Sequence, residues 1–349
     1  MVIFGAGASY DSVPTYPPGA PVPLGDASNN YFRPPLANEL FANRPLFATA
    51  ITYFPECQPI VPRLRSLRDE SLEAALQDLQ ARAESYPRGH QQLAAVRFYL
   101  RYLLAECVAN WRKVALGVTN YKSLLDVIER ANRKDEPVCL VTFNYDTLLE
   151  DALLDFGLSI EGIPDYTKKH KFYRVFKAHG SVNWARQVET KLQAPNLGDQ
   201  WVVNRELIAR AAELQVTDKY ILNPPGSVGA VDGKPVFPAI AIPVEKKAQF
   251  EFPQEMLETL AGLLPSISKM LVIGWRATEA HFLSLLGNRL TGIRPGVPLH
   301  IVAGLESEAE ETKVKIHRAM LNNQPNSSLD PGGFTDFILS RRAEKFLGN

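Results

Sequence analysis

The apolar positions of this chain follow two periods that alternate along it. Residues 2–5 make a short apolar strand ending in glycine. Pro137-Val138-Cys139-Leu140-Val141-Thr142-Phe143 is almost wholly apolar, as expected of a strand buried on both faces. Further strands are read near 173–178, at Pro238-Ala239-Ile240-Ala241-Ile242-Pro243, at Met270-Leu271-Val272-Ile273-Gly274-Trp275, and at Leu299-His300-Ile301-Val302-Ala303, the last clear one. Between and after them the spacing is helical, at about 145–156, 253–263, 278–290 and 306–321. Strands alternating with helices predict an α/β fold, a Rossmann-like, mainly parallel sheet flanked by helices.

A helical insertion interrupts this pattern after the first strand. From Leu36 to about Ala131 the periodicity is helical: Leu72, Leu76, Leu79 and Ala83 share one spacing, repeated by Val96, Leu100, Leu103 and Cys107 and extended by Trp111. Such stripes read as core. Residues 11–35 are rich in proline, glycine and small polar groups, and so long a loop after a glycine turn suggests a flap over a ligand. Residues 185–235 look irregular, with turns at Asn223-Pro224-Pro225-Gly226 and Asp232-Gly233. The expected organisation is one domain over 1–305 with insertions at about 36–131 and 185–235, and residues 306–349 as a C-terminal helix and tail packed on it. A buried parallel strand usually runs about five or six residues, so the short first one leaves room for a natural N-terminus beyond Met1.

Composition narrows the partners. With 46% apolar residues among 349 the core can be large, and 38 basic residues balance 38 acidic ones. No global field then attracts nucleic acid or an anionic membrane, and direct nucleic-acid binding is not expected. Lys168, Lys169, Lys171, Arg174 and Lys177 form a local basic stretch, read as a solvated strand edge or as a phosphate-facing rim. No apolar run approaches the roughly 20 residues of a membrane span, and the first residues lack the basic start of a signal peptide. Three widely spread cysteines (Cys57, Cys107, Cys139) suit a reducing cytoplasm and cannot make a four-cysteine zinc site. His90, His170, His281, His300 and His317 show no ligand spacing, so no metal is expected.

The candidate chemistry sits at strand ends, where ligands of open α/β sheets bind. Gly5-Ala6-Gly7-Ala8-Ser9 would let backbone approach a pyrophosphate. The full dinucleotide fingerprint wants glycine at position 10, which is Tyr10 here, and an ordinary strand-to-loop turn is the alternative. In Thr142-Phe143-Asn144-Tyr145-Asp146, Asn144 can orient a ribose hydroxyl or a water, or serve as a turn residue. Asp146 can touch the ligand or cap the next helix. His179, beside Gly180, suits a general base, although a lone histidine is more often structural. Gly274 and Trp275 end another strand at the same edge, with room for an adenosine half. Glu279 then opens a helix, as a first-turn acid or a ligand contact.

Taken in order, these segments resemble the sirtuin-like domains of bacterial antiphage defence systems. The resemblance rests on Gly5-Ala6-Gly7-Ala8-Ser9, Pro34-Pro35-Leu36, Thr142-Phe143-Asn144-Tyr145-Asp146 and His179-Gly180-Ser181-Val182-Asn183-Trp184. Pro238 to Lys247 and the residues from Gly274 onward add weaker support. It covers about residues 1–305, as islands. It implies that Gly5 to Ser9 bind NAD and that Asn144 and His179 support cleavage of the nicotinamide–ribose bond. Deacetylating relatives carry a four-cysteine zinc module. Without it, the resemblance implies an NAD hydrolase without zinc, releasing nicotinamide and ADP-ribose and depleting NAD in antiphage defence. Glu279 stands where many relatives place Asp. Relatives often act with a HerA-type ATPase or an Argonaute-like protein, or as assemblies, so control by a separate partner or by homo-oligomerisation is implied. Two other readings stay open: a non-catalytic NAD or ADP-ribose-binding regulatory subunit, and an ADP-ribosyltransferase with an acceptor groove.

Overall fold

A computed structural model describes residues 1–19, 27–65, 72–83, 86–132, 136–189, 198–242, 250–290, 296–320 and 325–348. Its strands are β1 Val2–Phe4, β2 Val138–Thr142, β3 Tyr173–Lys177, β4 Gly180–Val188, β5 Val216–Leu222, β6 Ala230–Val231, β7 Lys234–Ile240, β8 Met270–Ile273, β9 Pro298–Val302 and β10 Asn326–Asp330. Six of them form one parallel sheet in the order β10-β9-β8-β1-β2-β3. This is the α/β architecture expected, with the helical region after the first strand in place.

β1 lies inside the sheet, paired on both sides. Val2 lies opposite Leu140 on one side and Leu271 on the other, and Val2, Ile3 and Phe4 are at most 3% exposed. Branched and aromatic side chains fit such a doubly covered pleat. The chain runs from β1 to β2 and β3 on one flank, and later returns to β8 on the other. That reversal beside β1 is a topological switch point, and the carboxyl ends of the flanking strands open a crevice there.

Residues 185–235 are more regular than their sequence suggests. They belong to a second, antiparallel sheet in the order β5-β4-β7-β6. Its alternation is hidden because β4 shifts register between Gly180 and Ala185 and again between Arg186 and Val188. β7 is buried at almost every position and holds Pro235 and Pro238, so it shows no period of two. Asp232 and Gly233, both at positive φ (54° and 73°), join β6 to β7 as a type I′ hairpin turn. The strand at 299–303 is also not the last. β10 follows it as an edge strand, and its polar Asn-Ser-Ser-Leu-Asp sequence gave no apolar signal.

Two hydrophobic cores result. One surrounds the parallel sheet; the other lies between the helical region and the second sheet, joining Leu76, Leu100 and Cys107 to Val182, Leu207, Phe237 and Ile240. The helix Pro87–Ala115 spans both: Leu93 to Cys107 sit in the second core, and Val108, Trp111 and Ala115 in the first. Proline starts it, and Leu116 and Gly117, both left-handed, end it.

The helices Ala280–Leu290 and Glu306–Ala319 approach so closely that a Cβ on Gly287 would collide with the Ala319 carbonyl oxygen. Gly287→Ala therefore lowers the free energy of unfolding by about 1–3 kcal/mol through overpacking, measured by urea titration. A gain of about 1 kcal/mol, as helix propensity alone would give, would show that the contact does not constrain the fold.

Candidate functional site

The carboxyl ends of β8, β1, β2 and β3 border a common cavity of about 870 Å³, within the roughly 300–1,000 Å³ usual for small-molecule sites. Its wall includes Gly5, Ala6, Gly7, Ser9, Asn144, Asp146, His179, Gly274, Trp275 and Glu279. Of the expected site residues, Ala8 and Gly180 lie outside this wall: Ala8 points into the core, and Gly180 serves the backbone. At φ 74° a Cβ on Gly180 would strike the Ala239 carbonyl, so glycine alone lets the chain turn after His179 and enter β4 against β7.

The glycines at the end of β1 answer to a different demand than expected. Gly5 N donates to Ile273 O at 3.0 Å, Gly7 N to Gly274 O at 3.1 Å, and Ala8 N to Gly5 O at 2.9 Å. A Cβ on Gly7 would stand 2.8 Å from Gly274 Cα, and one on Gly5 would overlap the Gly274 carbonyl. The amides of Gly5, Gly7 and Ala8 thus serve the protein, and the turn offers a ligand a floor of small residues.

Asn144 is fixed from its nitrogen. Its Nδ2 donates to Gly5 O at 2.9 Å, to Ser9 Oγ at 2.9 Å and to the Tyr121 hydroxyl at 3.2 Å. A backbone carbonyl only accepts, so the orientation of the amide is set, and its oxygen is the atom left for a ligand. Burial pushes the Tyr121 phenol well above its ordinary value, which keeps it neutral at this junction. Tyr121 went unnoticed in the sequence because it looks like any other core aromatic of its helix.

Asp146 Oδ1 accepts from Leu148 N at 3.1 Å, an Asx turn that leads into the helix Leu148–Leu154, whose N-cap is Thr147, and Asp146 also lines the cavity. Its carbonyl accepts from Lys177 Nζ, and Lys177 pairs with Glu150 at 2.8 Å. Behind this pair the Tyr166 hydroxyl donates to Glu150 at 3.1 Å, and Trp184 Nε1 to Tyr166 at 3.0 Å. Lys177 is fully buried and so leaves the solvated edge that Lys168 and Lys169 occupy with acidic neighbours. Burial raises the Glu150 carboxyl above the usual range, against the opposing pull of Lys177.

His179 is 7% exposed, with its ring 5.0 Å edge-on from Phe143 and 5.8 Å from Tyr145. Glu279 Oε1 lies 3.6 Å from His179 Nε2, and its Oε2 accepts from Trp275 Nε1 at 2.6 Å. Trp275 in turn stacks flat on Phe143, with centroids 5.0 Å apart and planes within 3°.

The far wall comes from Asp11, at the start of the loop read as a flap, and from Gly332 to Leu339, which the sequence did not single out. Asp11 accepts from Thr335 N at 2.9 Å and Thr335 Oγ1 at 2.6 Å, and burial raises its carboxyl above the ordinary value. Pro17, Pro18, Pro34 and Pro35 from the loop after β1 also line the cavity, and Arg33 ties that loop to Tyr10 O and Tyr16 O. Residues 20–26 of this loop, like 243–247 of the Pro238–Lys247 stretch, lie outside the described residues. Among the described residues there is no group of three or more His, Cys, Asp or Glu side chains placed to hold a metal, and no helix long and apolar enough to cross a membrane.

No protein-family model matches the chain, and no curated protein matches it. Solved structures do. A Sir2 homologue in complex with NAD is 14% identical, with 99% of this chain and 90% of that one covered and a TM-score of 0.42. A triple mutant of Sir2 homologues with 2′-O-acetyl ADP ribose is also 14% identical, with 100% and 92% covered and a TM-score of 0.44. A single mutant of a Sir2 homologue with ADP ribose is 15% identical, with 99% and 91% covered and a TM-score of 0.42. The chain is thus similar to Sir2 homologues along its whole length, at low identity.

Lys177→Met leaves Glu150 buried without its counter-ion and takes the donor from Asp146 O. A loss of about 3–5 kcal/mol in unfolding free energy follows, read by urea titration. Adding Glu150→Gln to that variant should recover part of the loss. A single variant as stable as wild type would show that the pair does not support the β2 end.

Proposed function

We propose that this chain is an NAD⁺ glycohydrolase that cleaves the nicotinamide–ribose bond with water, giving nicotinamide, ADP-ribose and a proton. The observation that carries this reading is convergence. Three neighbouring strands, β1, β2 and β3, deliver the small-residue floor at Gly5–Ser9, the fixed amide of Asn144, and His179 to one cavity of dinucleotide size at the switch point of the sheet.

The reaction builds oxocarbenium character at the ribose C1′, as in glycoside hydrolysis. The breaking bond leaves its electron pair on the pyridine nitrogen, so nicotinamide departs neutral and needs no general acid. Water forms the new C1′–O bond, and His179 takes its proton and returns it to solvent. Asn144, fastened through its nitrogen, presents its oxygen to a ribose hydroxyl or to the water. The buried rings of Phe143 and Trp275 keep bulk water from the reacting end. Gly274 and Trp275 border the same cavity from β8 and would receive the ligand beside the Gly5–Ser9 floor. In this reading the chain depletes NAD as an antiphage effector, under the control of a partner protein or of self-assembly.

Nicotinamide release from the purified chain tests the proposal. His179→Ala should lower kcat/KM by about 10²-fold or more with the unfolding midpoint unchanged. Asn144→Ala should lose turnover and about 1–3 kcal/mol of stability together, because it removes the donor that ties the end of β2 to Gly5 O and Ser9 Oγ. NAD that binds but is not cleaved, by wild type and His179→Ala alike, would instead indicate a binding subunit.

A further inference from the structure

We infer that Glu279 is the positioning residue for His179, acting across the cavity from the end of β8, and that the Trp275 indole holds it in place. The inference rests on His179 being the base of the proposed hydrolysis, and adds a partner which that reading does not require.

Three observations carry it. Glu279 uses its two oxygens differently: Oε2 receives the Trp275 N–H at 2.6 Å, while Oε1 faces His179 Nε2 at 3.6 Å. The carboxylate therefore cannot swing to solvent without giving up a charge-assisted hydrogen bond. Its side chain is only 12% exposed and that of His179 9%, so their attraction is weakly screened. Trp275 is itself immobilised, flat against Phe143, whose edge meets the imidazole. Trp275, Glu279, His179 and Phe143 thus close a ring of contacts in which each group fixes the next.

The chemistry follows. When His179 accepts a proton, Glu279 stands where an imidazolium N–H would point and offsets the new charge, as a carboxylate does for a catalytic histidine elsewhere. At 3.6 Å the two need only a small movement to bond directly. Other ionisable groups of this region have partners of their own. Tyr145 donates to Ala241 O, Asp146 accepts from Leu148 N, Lys177 is held by Glu150, Glu251 faces Arg186 and Tyr220, and Arg97 donates to Ile240 O.

The test is the NMR titration of ¹³C-labelled histidine rings in the full chain. The His179 signal is assigned by its absence in His179→Asn and compared between wild type and Glu279→Gln. Gln keeps an oxygen for the Trp275 N–H, so the fold is spared. The His179 midpoint should fall by about one pH unit or more in Glu279→Gln, and Glu279→Asp should restore part of the shift. An unmoved midpoint overturns the inference whether or not the chain hydrolyses NAD, while a moved midpoint without nicotinamide release overturns only the functional reading. With turnover in hand, Glu279→Gln should lower kcat at least tenfold, leave KM within about threefold and move the acid limb to lower pH; a helix-opening role alone would leave that limb in place.

Discussion

The turns that leave β1 and β8 lie backbone against backbone, and the site is built on that contact. Gly5 and Gly7 have no room for a Cβ against Gly274, and Gly274, at φ 60°, has none against Gly7 and Ala8. The hydrogen bonds from Gly5 N and Gly7 N to Ile273 O and Gly274 O lock this crossing. Asn144 then ties the end of β2 to the same turn through Gly5 O and Ser9 Oγ. Three strand ends become one rigid floor, and the position of His179 at the end of β3 is measured from it.

Around this floor the protein invests in buried polar contacts, costly unless each group is satisfied. Lys177 and Glu150 stand behind Asp146, Tyr121 beneath Asn144, and Asp11 holds the N-terminal turn of the helix Gly333–Leu339 against the cavity. Each ties a backbone segment of the rim to a residue far away in sequence. Such a rim resists displacement, as the proposed reaction requires in order to hold a ribose in one orientation.

How far the sequence could reveal this depends on whether a feature is local. The buried strands at 138–142 and 270–273 were legible because a strand covered on both faces is a continuous apolar run. Asn144 was legible because a polar residue just after such a run has few reasons to be there, and His179 because it stands beside Gly180 at a strand end. Register shifts hid β4, and prolines hid the first half of β7, so the strand read at 238–243 begins at Lys234 and ends at Ile240, while a polar edge strand such as β10 has no period to read. The Asp11–Thr335 and Asn144–Tyr121 pairs were out of reach, since hydrogen bonds across 324 and 23 residues leave no local trace. The glycines of the first turn were read for a pyrophosphate, whereas their amides and their close packing serve the end of β8.

The most direct measurement is a crystal structure of the chain with ADP-ribose. The account predicts the pyrophosphate over Gly5–Ser9 and a hydroxyl of the distal ribose, or a water bound to it, about 3 Å from the His179 ring. ADP-ribose lying outside the cavity, or within it with that ribose turned away from both His179 and Asn144, would contradict it.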